Sequence, residues 1–548
     1  MRARSIALLL LAAAAATAFG IGTATGWRHS AATLHPLAAR KRQQRGATEE
    51  PRPAMKQLSS LDAQYLELEN PRQAGHFGVL AVYDPSTAPS GDLTAASMAA
   101  LLRERIHLLP PLRWRLVEVP FGLDYPYLVN DDRFDLDYHV REVALPPPGD
   151  DHQLAALVAR LHSRHLDRGW PLWEMYVISG LGSGHVAVYT KVHHAVVDGI
   201  SFAEITELLL DTSPQCEPVI PADWVDVEGY PTRLEMWGRA LWGMLRHPTR
   251  MLRSAPRAVN NVDETTLAGV PGVAPARRLA ARVATLAGGG GNRVPPPAMR
   301  APKTSFSQRI SPHRRFAFGQ LDLNRVKAVK RAYEMTVNDV VVSICAGAVR
   351  RWLIDHEELP DEPLIAQIPV SVRTSEQKGT FGNRILTLAV PLHTEISNPV
   401  VRLRETAASL TQMKERHRAL PADLLSDVNH FIPPVLAGSA ARVTFALATS
   451  AVGRPIWNLV VSNVPGPQVP LYCSGARLVA NYPVSLITDG MGLNITVLSY
   501  DGHLYVGIVA DREQMPDVWT LVDGVELSLA ELEAELAAEL ENARPPVA

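Results

Sequence analysis

Between Pro214 and Pro302 the chain loses the hydrophobic periodicity that it carries on either side, and this break decides how it can fold. Gly288–Gly291 is a run of four glycines, and Pro295–Pro297 follow closely. Such stretches interrupt helix and strand and read as linker. A length of 548 residues exceeds what one core ordinarily serves. The break therefore predicts two folded blocks, 55–213 and 304–548, joined by 214–303 and preceded by 1–54.

Both blocks mix helix and strand periods. In the first, Gly75–Tyr83 reads as a strand and Leu93–Leu109 has helical spacing. Leu154, Leu157, Val158 and Leu161 mark a helix over Leu154–His165, and His185–Val192 alternates as a strand does. In the second, Leu323–Tyr333 and Thr336–Leu353 read as helices. Leu364–Val372, Ile385–Leu392, Leu459–Ser462, Gly492–Tyr500 and His503–Ala510 read as strands. Asp501-Gly502 is a hairpin turn, and Asp517–Asn542 is an acidic helix with a solvated face. Helices alternating with strands predict an α/β or α+β sandwich. Within the linker, Thr232–Arg257 wound as a helix would gather Arg239, Arg246, Arg250, Arg253 and Arg257 within about 60°. That face either rests on a lipid surface or lies opposite an apolar face packed on the body, and Pro248 counts against one unbroken helix.

Residues 1–54 carry eight Lys or Arg against Glu49 and Glu50. The uncharged run Ile6 to Thr25 is, at about 20 residues, just long enough to span a bilayer. The basic flank after it favours a single-span anchor that keeps the following domain on the cytoplasmic side. An export signal ending near Ala16-Thr17-Ala18, or a true start at Met55, are the other readings. Across the whole chain 54 basic and 56 acidic residues leave a net charge of −2, so no global field exists to gather nucleic acid. Cys216, Cys345 and Cys473 are scattered and odd in number, which predicts no disulfide framework and a reducing compartment.

Chemistry concentrates at Lys191–Gly199, where a hydrophobic strand delivers His193 and His194, and Asp198 and Gly199 follow. Ser201 and Glu204 then offer an S-x-x-E capping box for a helix Phe202–Leu210. Polar groups at a strand-to-helix junction lie where an α/β sheet exposes its chemistry. Histidine suits general-base work on a hydroxyl, since its ordinary pKa is about 6.5. Asp198 is too close in sequence to serve as a distant triad acid and instead fixes the loop, with Gly199 permitting the turn. Two adjacent histidines are structural in most proteins. A metal site lacks further ligands at suitable spacing, and no G-x-S-x-G elbow exists for a serine hydrolase. Gly180–Gly184 reads as a hairpin turn rather than a dinucleotide loop.

His193–Gly199, HHAVVDG, resembles the HHxxxDG signature of coenzyme-A-dependent acyltransferases and peptide-synthetase condensation domains. The chain as a whole is similar to the bacterial wax ester synthase/acyl-CoA:diacylglycerol acyltransferase family. The resemblance runs in order through Met55–Asp62, Pro171-Leu172-Trp173-Glu174, Thr336–Val341, Pro369–Arg373, Gly382-Asn383 and Ser462–Pro467. It implies two chloramphenicol-acetyltransferase-like domains with the active-site tunnel between them. His194 would be the base and His193 would shape the site, with Asp198 and Asn338 completing the catalytic set. Asn338 either stabilises the oxyanion or caps its helix through Val340. Pro171, Leu172 and Trp173 would line or brace the acyl channel, and Arg373 could pair with Asp198. The implied substrates are acyl-CoA and diacylglycerol, or a long-chain alcohol, with no cofactor and no metal. Work at a membrane or lipid-droplet surface follows. Two rivals are a carrier-dependent condensation enzyme and an idle droplet-binding protein.

Overall fold

The computed structural model describes residues 55–120, 124–215, 301–371, 385–418 and 455–542, with a few isolated positions between 219 and 238. The segment 1–54, the glycine run, Cys216, Arg373, Gly382-Asn383 and nearly all of Thr232–Arg257 lie outside the described residues. Among the described residues no helix is long and apolar enough to cross a membrane.

The first half contains β1 (Met55–Gln57), α1 (Ser60–Glu67), β2 (His76–Asp84), α2 (Ala95–Arg105), β3 (Trp114–Val117), β4 (Tyr127–Asn130) and β5 (Val140–Ala144). It continues with α3 (Asp151–His162), β6 (Trp173–Ser179), β7 (Val186–His193) and α4 (Gly199–Leu209). The second half begins with β8 (Arg314–Asp322), α5 (Leu323–Ala332), α6 (Val337–Asp355), β9 (Ile365–Ser371), β10 (Ile385–Pro391) and α7 (Pro399–Arg418). Then come β11 (Leu459–Pro465), β12 (Tyr472–Cys473), β13 (Ala476–Val484), β14 (Leu493–Tyr500), β15 (His503–Asp511) and α8 (Trp519–Asn542).

Two six-stranded mixed sheets dominate, in the orders β12-β13-β2-β7-β6-β5 and β10-β9-β11-β14-β15-β8. This is the α/β sandwich architecture that strand and helix alternation predicts. Local chemistry places the ends of the elements. The Asp501 and Gly502 backbones have φ of +41° and +81°, so the two-residue β14–β15 turn is the hairpin expected from an Asp-Gly pair. Gly180 and Gly184, at +80° and +77°, turn β6 back into β7. Helix α3 starts at a capping box in which Asp150 and Gln153 satisfy each other's backbone N–H groups. The acidic α8 has the expected solvated face and a buried one opposite it. Its Leu521, Val525, Leu529 and Leu532 are buried in the second core, while Glu533 pairs with Arg325 at 2.7 Å.

The halves are not separable slabs. Strand β13 belongs by sequence to the second block, yet it pairs antiparallel with β2 from Arg477↔Asp84 to Val484↔Gly78. Ala476, Leu478, Ala480, Tyr482 and Val484 share one side and Arg477, Asn481 and Pro483 the other, so the strand period is present, but a proline inside the run argues against a strand flanked on both sides. A buried histidine ties the same seam. The His162 ring accepts from the Tyr189 hydroxyl at Nδ1 (2.8 Å) and donates from Nε2 to the Ser485 carbonyl (3.1 Å). Beside it, His76 Nε2 donates to the His162 carbonyl at 2.8 Å.

These imidazoles are neutral in the fold. Burial holds His76 well below the ordinary value, His162 down to about 3 and His139 down to about 4. In the unfolded chain each titrates near 6.5, so stability is full above that pH. It is lost as the unfolded state takes up protons that the native state refuses, from pH 6.5 down through about 4 and about 3. Melting temperature should therefore be level above pH 6.5 and fall steadily below it. His162→Gln should melt lower at neutral pH but with a shallower acid slope; an unaltered slope in thermal unfolding would contradict this account.

Candidate active site

The last two backbone bonds of β7 fix where the two histidines point. His193 N–H donates to the Leu172 carbonyl and His194 N–H to the Gly75 carbonyl, each at 2.9 Å. Successive residues of extended chain project to opposite sides, so the two rings face different neighbours.

His193 turns inward. Its Nδ1 accepts the Ala195 N–H at 3.0 Å, which leaves the ring proton on Nε2, 3.2 Å from Glu69 Oε1. Glu69 Oε1 also accepts the Gly75 N–H at 2.9 Å, and its Oε2 accepts from Arg168 at 2.9 Å. Burial alone would raise the Glu69 carboxyl. The His193 ring, the Gly75 N–H and Arg168 outweigh it and hold the group down to about 2. The carboxylate is thus ionised and fixed, and it holds the His193 ring in place. Gly75 is required here by space: a Cβ would lie 2.7 Å from His193 Nε2 and 2.8 Å from the Tyr65 carbonyl oxygen.

His194 faces a cavity of about 550 Å³ lined by residues of both halves, including Tyr65, Phe77, Phe202, Asn338 and Asn463. Its ring stacks on Tyr65, with centroids 4.6 Å apart and planes 15° apart, and tilts against Phe77 at 4.4 Å. Burial between these rings, with a smaller contribution from His193, lowers the His194 pKa to about 3. It is therefore neutral at physiological pH and able to accept a proton.

Asp198 is fully buried and caps α4, its Oδ1 accepting the Ser201 N–H at 2.7 Å. The S-x-x-E capping box expected from Ser201 and Glu204 does not form, because Asp198 starts the helix at Gly199, before Ser201 can act as its cap. Gly199 is not held in a left-handed turn. It is the first helical residue, and a Cβ there would meet nothing nearer than Val464 Cγ2 at 3.9 Å. Glycine's backbone freedom is not used at this position; what the residue provides is an open stretch of cavity wall.

Asn338 is the second residue of α6 and caps nothing. Thr336 is the cap, closing a box with Asp339, and the Val340 N–H goes to the Thr336 carbonyl at 3.2 Å. The Asn338 Oδ1 instead accepts from Asn463 Nδ2 at 3.4 Å, which orients the amide N–H groups of Asn338 as the remaining donors. Both asparagines line the cavity with His194.

Pro171, Leu172 and Trp173 lie outside that cavity wall, although Trp173 lines a small void adjoining it. Leu172 holds the His193 backbone, and Trp173 Nε1 donates to the Leu112 carbonyl at 2.6 Å while its ring stacks on His139 at 4.3 Å. The motif braces the histidine loop from behind. Sequence reasoning missed Glu69, Gly75, Tyr65 and Phe77, which carry no motif of their own. Asn463 stood within Ser462–Pro467 without a role.

A neutral histidine at a strand end, opening on a cavity between two α/β sheets and followed by the HHxxxDG spacing, defines an acyltransferase. Residues 58–341 match the model of the wax ester synthase/diacylglycerol acyltransferase catalytic domain, and residues 381–533 match the WS/DGAT C-terminal domain. A putative diacylglycerol O-acyltransferase of Mycobacterium tuberculosis is 36% identical over 87% of this chain and 90% of its own length. The O-acyltransferase WSD of Acinetobacter baylyi is 30% identical over 88% of this chain and 98% of its own. The solved wax ester synthase/diacylglycerol acyltransferase of Marinobacter aquaeolei VT8 superposes with a TM-score of 0.62 at 29% identity, covering 88% of this chain and all of that one. The chain belongs to the wax ester synthase/diacylglycerol acyltransferase family.

Gly75→Ala should cost about 1–3 kcal/mol, the usual penalty for overfilling a packed site. Thermal unfolding checks this. Wild-type stability would show that the His193 ring yields where the close packing says it cannot.

Proposed function

We propose that this protein transfers the acyl group of acyl-CoA to the hydroxyl of diacylglycerol, forming triacylglycerol and free coenzyme A. The observation that carries the reading is His194, the one imidazole among the described cavity-lining residues, neutral and facing the same space as Asn338. His194 takes the hydroxyl proton as the alcohol oxygen bonds to the thioester carbonyl carbon. With a pKa near 3, the ring is too weak a base to form a free alkoxide, so proton transfer and C–O bond formation run together. The carbonyl oxygen becomes an oxyanion, which accepts from the Asn338 amide. The C–S bond then breaks, and the proton on His194 passes to the departing coenzyme A sulfur. Glu69 and His193 keep the loop in place and touch neither substrate.

The family name and those of relatives support diacylglycerol and fatty alcohols as acceptors, and a hydrophobic cavity separates the two only weakly. Acyl-CoA comes from water and diacylglycerol from lipid. The enzyme therefore works, on this reading, at the cytoplasmic face of a membrane or lipid droplet. Purified protein given labelled acyl-CoA with both alcohols in competition should yield triacylglycerol in excess; wax ester as the sole product would overturn the acceptor assignment.

His194→Ala should lower turnover about 10²–10⁴-fold, and near-normal esterification by the folded variant would sink its role as base. Asn338→Ala should cost about 10²–10³-fold with little change in melting temperature. A base that stays unprotonated down to about pH 3 cannot itself shut the reaction off near 6.5. kcat/KM should accordingly stay level as pH falls through 6.5 for as long as the fold persists. A fall centred at 6.5 in protein whose circular dichroism is unchanged would contradict the environment assigned to His194.

A further inference from the structure

A groove of about 610 Å³ lies in the seam between the halves, and no described residue lines both it and the His194 cavity. One wall is a face of α3, on which His152, Ala155, Ala156, Ala159, Arg160 and Ser163 recur at helical spacing. The facing wall is the start of β8, from His313 to Phe316, with Arg512 and Trp519 where β15 gives way to α8. The three alanines leave the helix wall low, so a ligand can lie close against it.

The charge around this groove has one sign. Arg160, Arg314, Arg315 and Arg512 line it, and no Asp or Glu among the described residues does. Arg314 is committed to the fold: it is buried, donates to the Ser311, His313 and Arg72 carbonyls, and stands 4.0 Å from Asp511. Asp511 is itself occupied, accepting the Ser311, Glu513 and Gln514 N–H groups. Glu513, next to Arg512 in sequence, is exposed and off the wall. Arg160, Arg315 and Arg512 are exposed, and none of them pairs with a carboxylate among the described residues. Three uncompensated guanidinium groups around one concavity gather anions, and their forked donors match phosphate oxygens in pairs. A fatty-acid carboxylate would need one of them; three call for several phosphate charges.

The floor is aromatic. The half-buried Trp519 ring has the His152 ring 4.3 Å away, tilted by 42°, and Phe318 5.5 Å away, so its plane is held. A fixed aromatic ring beside guanidinium groups is a stacking platform for a nucleobase, and such stacking strengthens binding about tenfold or more. A bicyclic purine matches the bicyclic indole in area. The groove's volume lies within the roughly 300–1,000 Å³ typical of small-molecule sites.

We propose that the seam groove is a second ligand site, taking a purine nucleoside polyphosphate with its base on Trp519 and His152 and its phosphates on Arg160, Arg315 and Arg512. The ligand would join α3 of the first half to β8 and α8 of the second. This chemistry has two sources: a free nucleotide such as ATP, or the phosphorylated adenosine diphosphate head of coenzyme A, the latter resting on the acyl-CoA reading above.

Full-length protein titrated with ATP should show a melting temperature that climbs with ligand concentration, together with quenched tryptophan fluorescence. Trp519→Phe should still bind but lose most of the quench. Arg160→Gln and Arg512→Gln, both at exposed positions, should each weaken ATP binding about tenfold. Inorganic tripolyphosphate, which has no base, should bind about tenfold more weakly than ATP. Coenzyme A that displaces ATP, with a raised KM for acyl-CoA and unchanged kcat in the two arginine variants, would support the coenzyme head as the source. ATP retained at saturating coenzyme A would support a free nucleotide. No binding, equal affinity in wild type and the Arg160→Gln/Arg512→Gln double variant, or tripolyphosphate as tight as ATP would overturn the site. So would arginine-dependent binding to anionic phospholipid vesicles with none to ATP. The ATP titration needs no ester formation, so failure of the acyl-transfer reading and failure of this site are separate results.

Discussion

The position of β2 between β7 and β13 is the constraint on which the rest depends. Pairing with β7 in the register His76↔His193 brings Gly75 under the histidine loop and Phe77 against the His194 ring. Pairing with β13 on the other edge brings a strand of the second half into the first sheet. A one-residue slip of β2 would turn Phe77 and Val79 away from the cavity and present the alternate residues instead. Cavity, histidine loop and the seam between the halves are thus consequences of one strand held on both sides.

The site separates its charges by geometry. Glu69 is ionised because three donors converge on it, whereas His194, the residue just past β7, is neutral because aromatic rings exclude water. Between them in sequence, His193 keeps its ring proton directed at the carboxylate.

Much of this was legible in the sequence. The principal strands and helices of the two halves follow their hydrophobic periods to within a few residues, and the histidine pair falls at the strand-to-helix junction where it was expected. Three kinds of feature were not legible. Strand β13 pairs with a partner far away in the chain, and Pro483 argues against a strand there although the alternation is present. The start of α4 was misplaced because Asp198 and Ser201 are both good caps, and a sequence cannot show that the earlier one captures the helix. Glu69 and Gly75 act through the fold on His193, and nothing local to either marks that role.

Strand β13 has a further consequence for how the protein comes to exist. Residues 472–484 emerge from the ribosome long after His193 and His194, yet β2 has an open edge until they arrive. The first sheet is therefore completed late, after most of the second half has been made, and a nascent chain holding the full histidine motif still lacks its finished cavity. Such an unpaired edge is a template for wrong association. Synthesis of this enzyme thus includes an interval in which the β2 edge stands open, closed only when β13 docks.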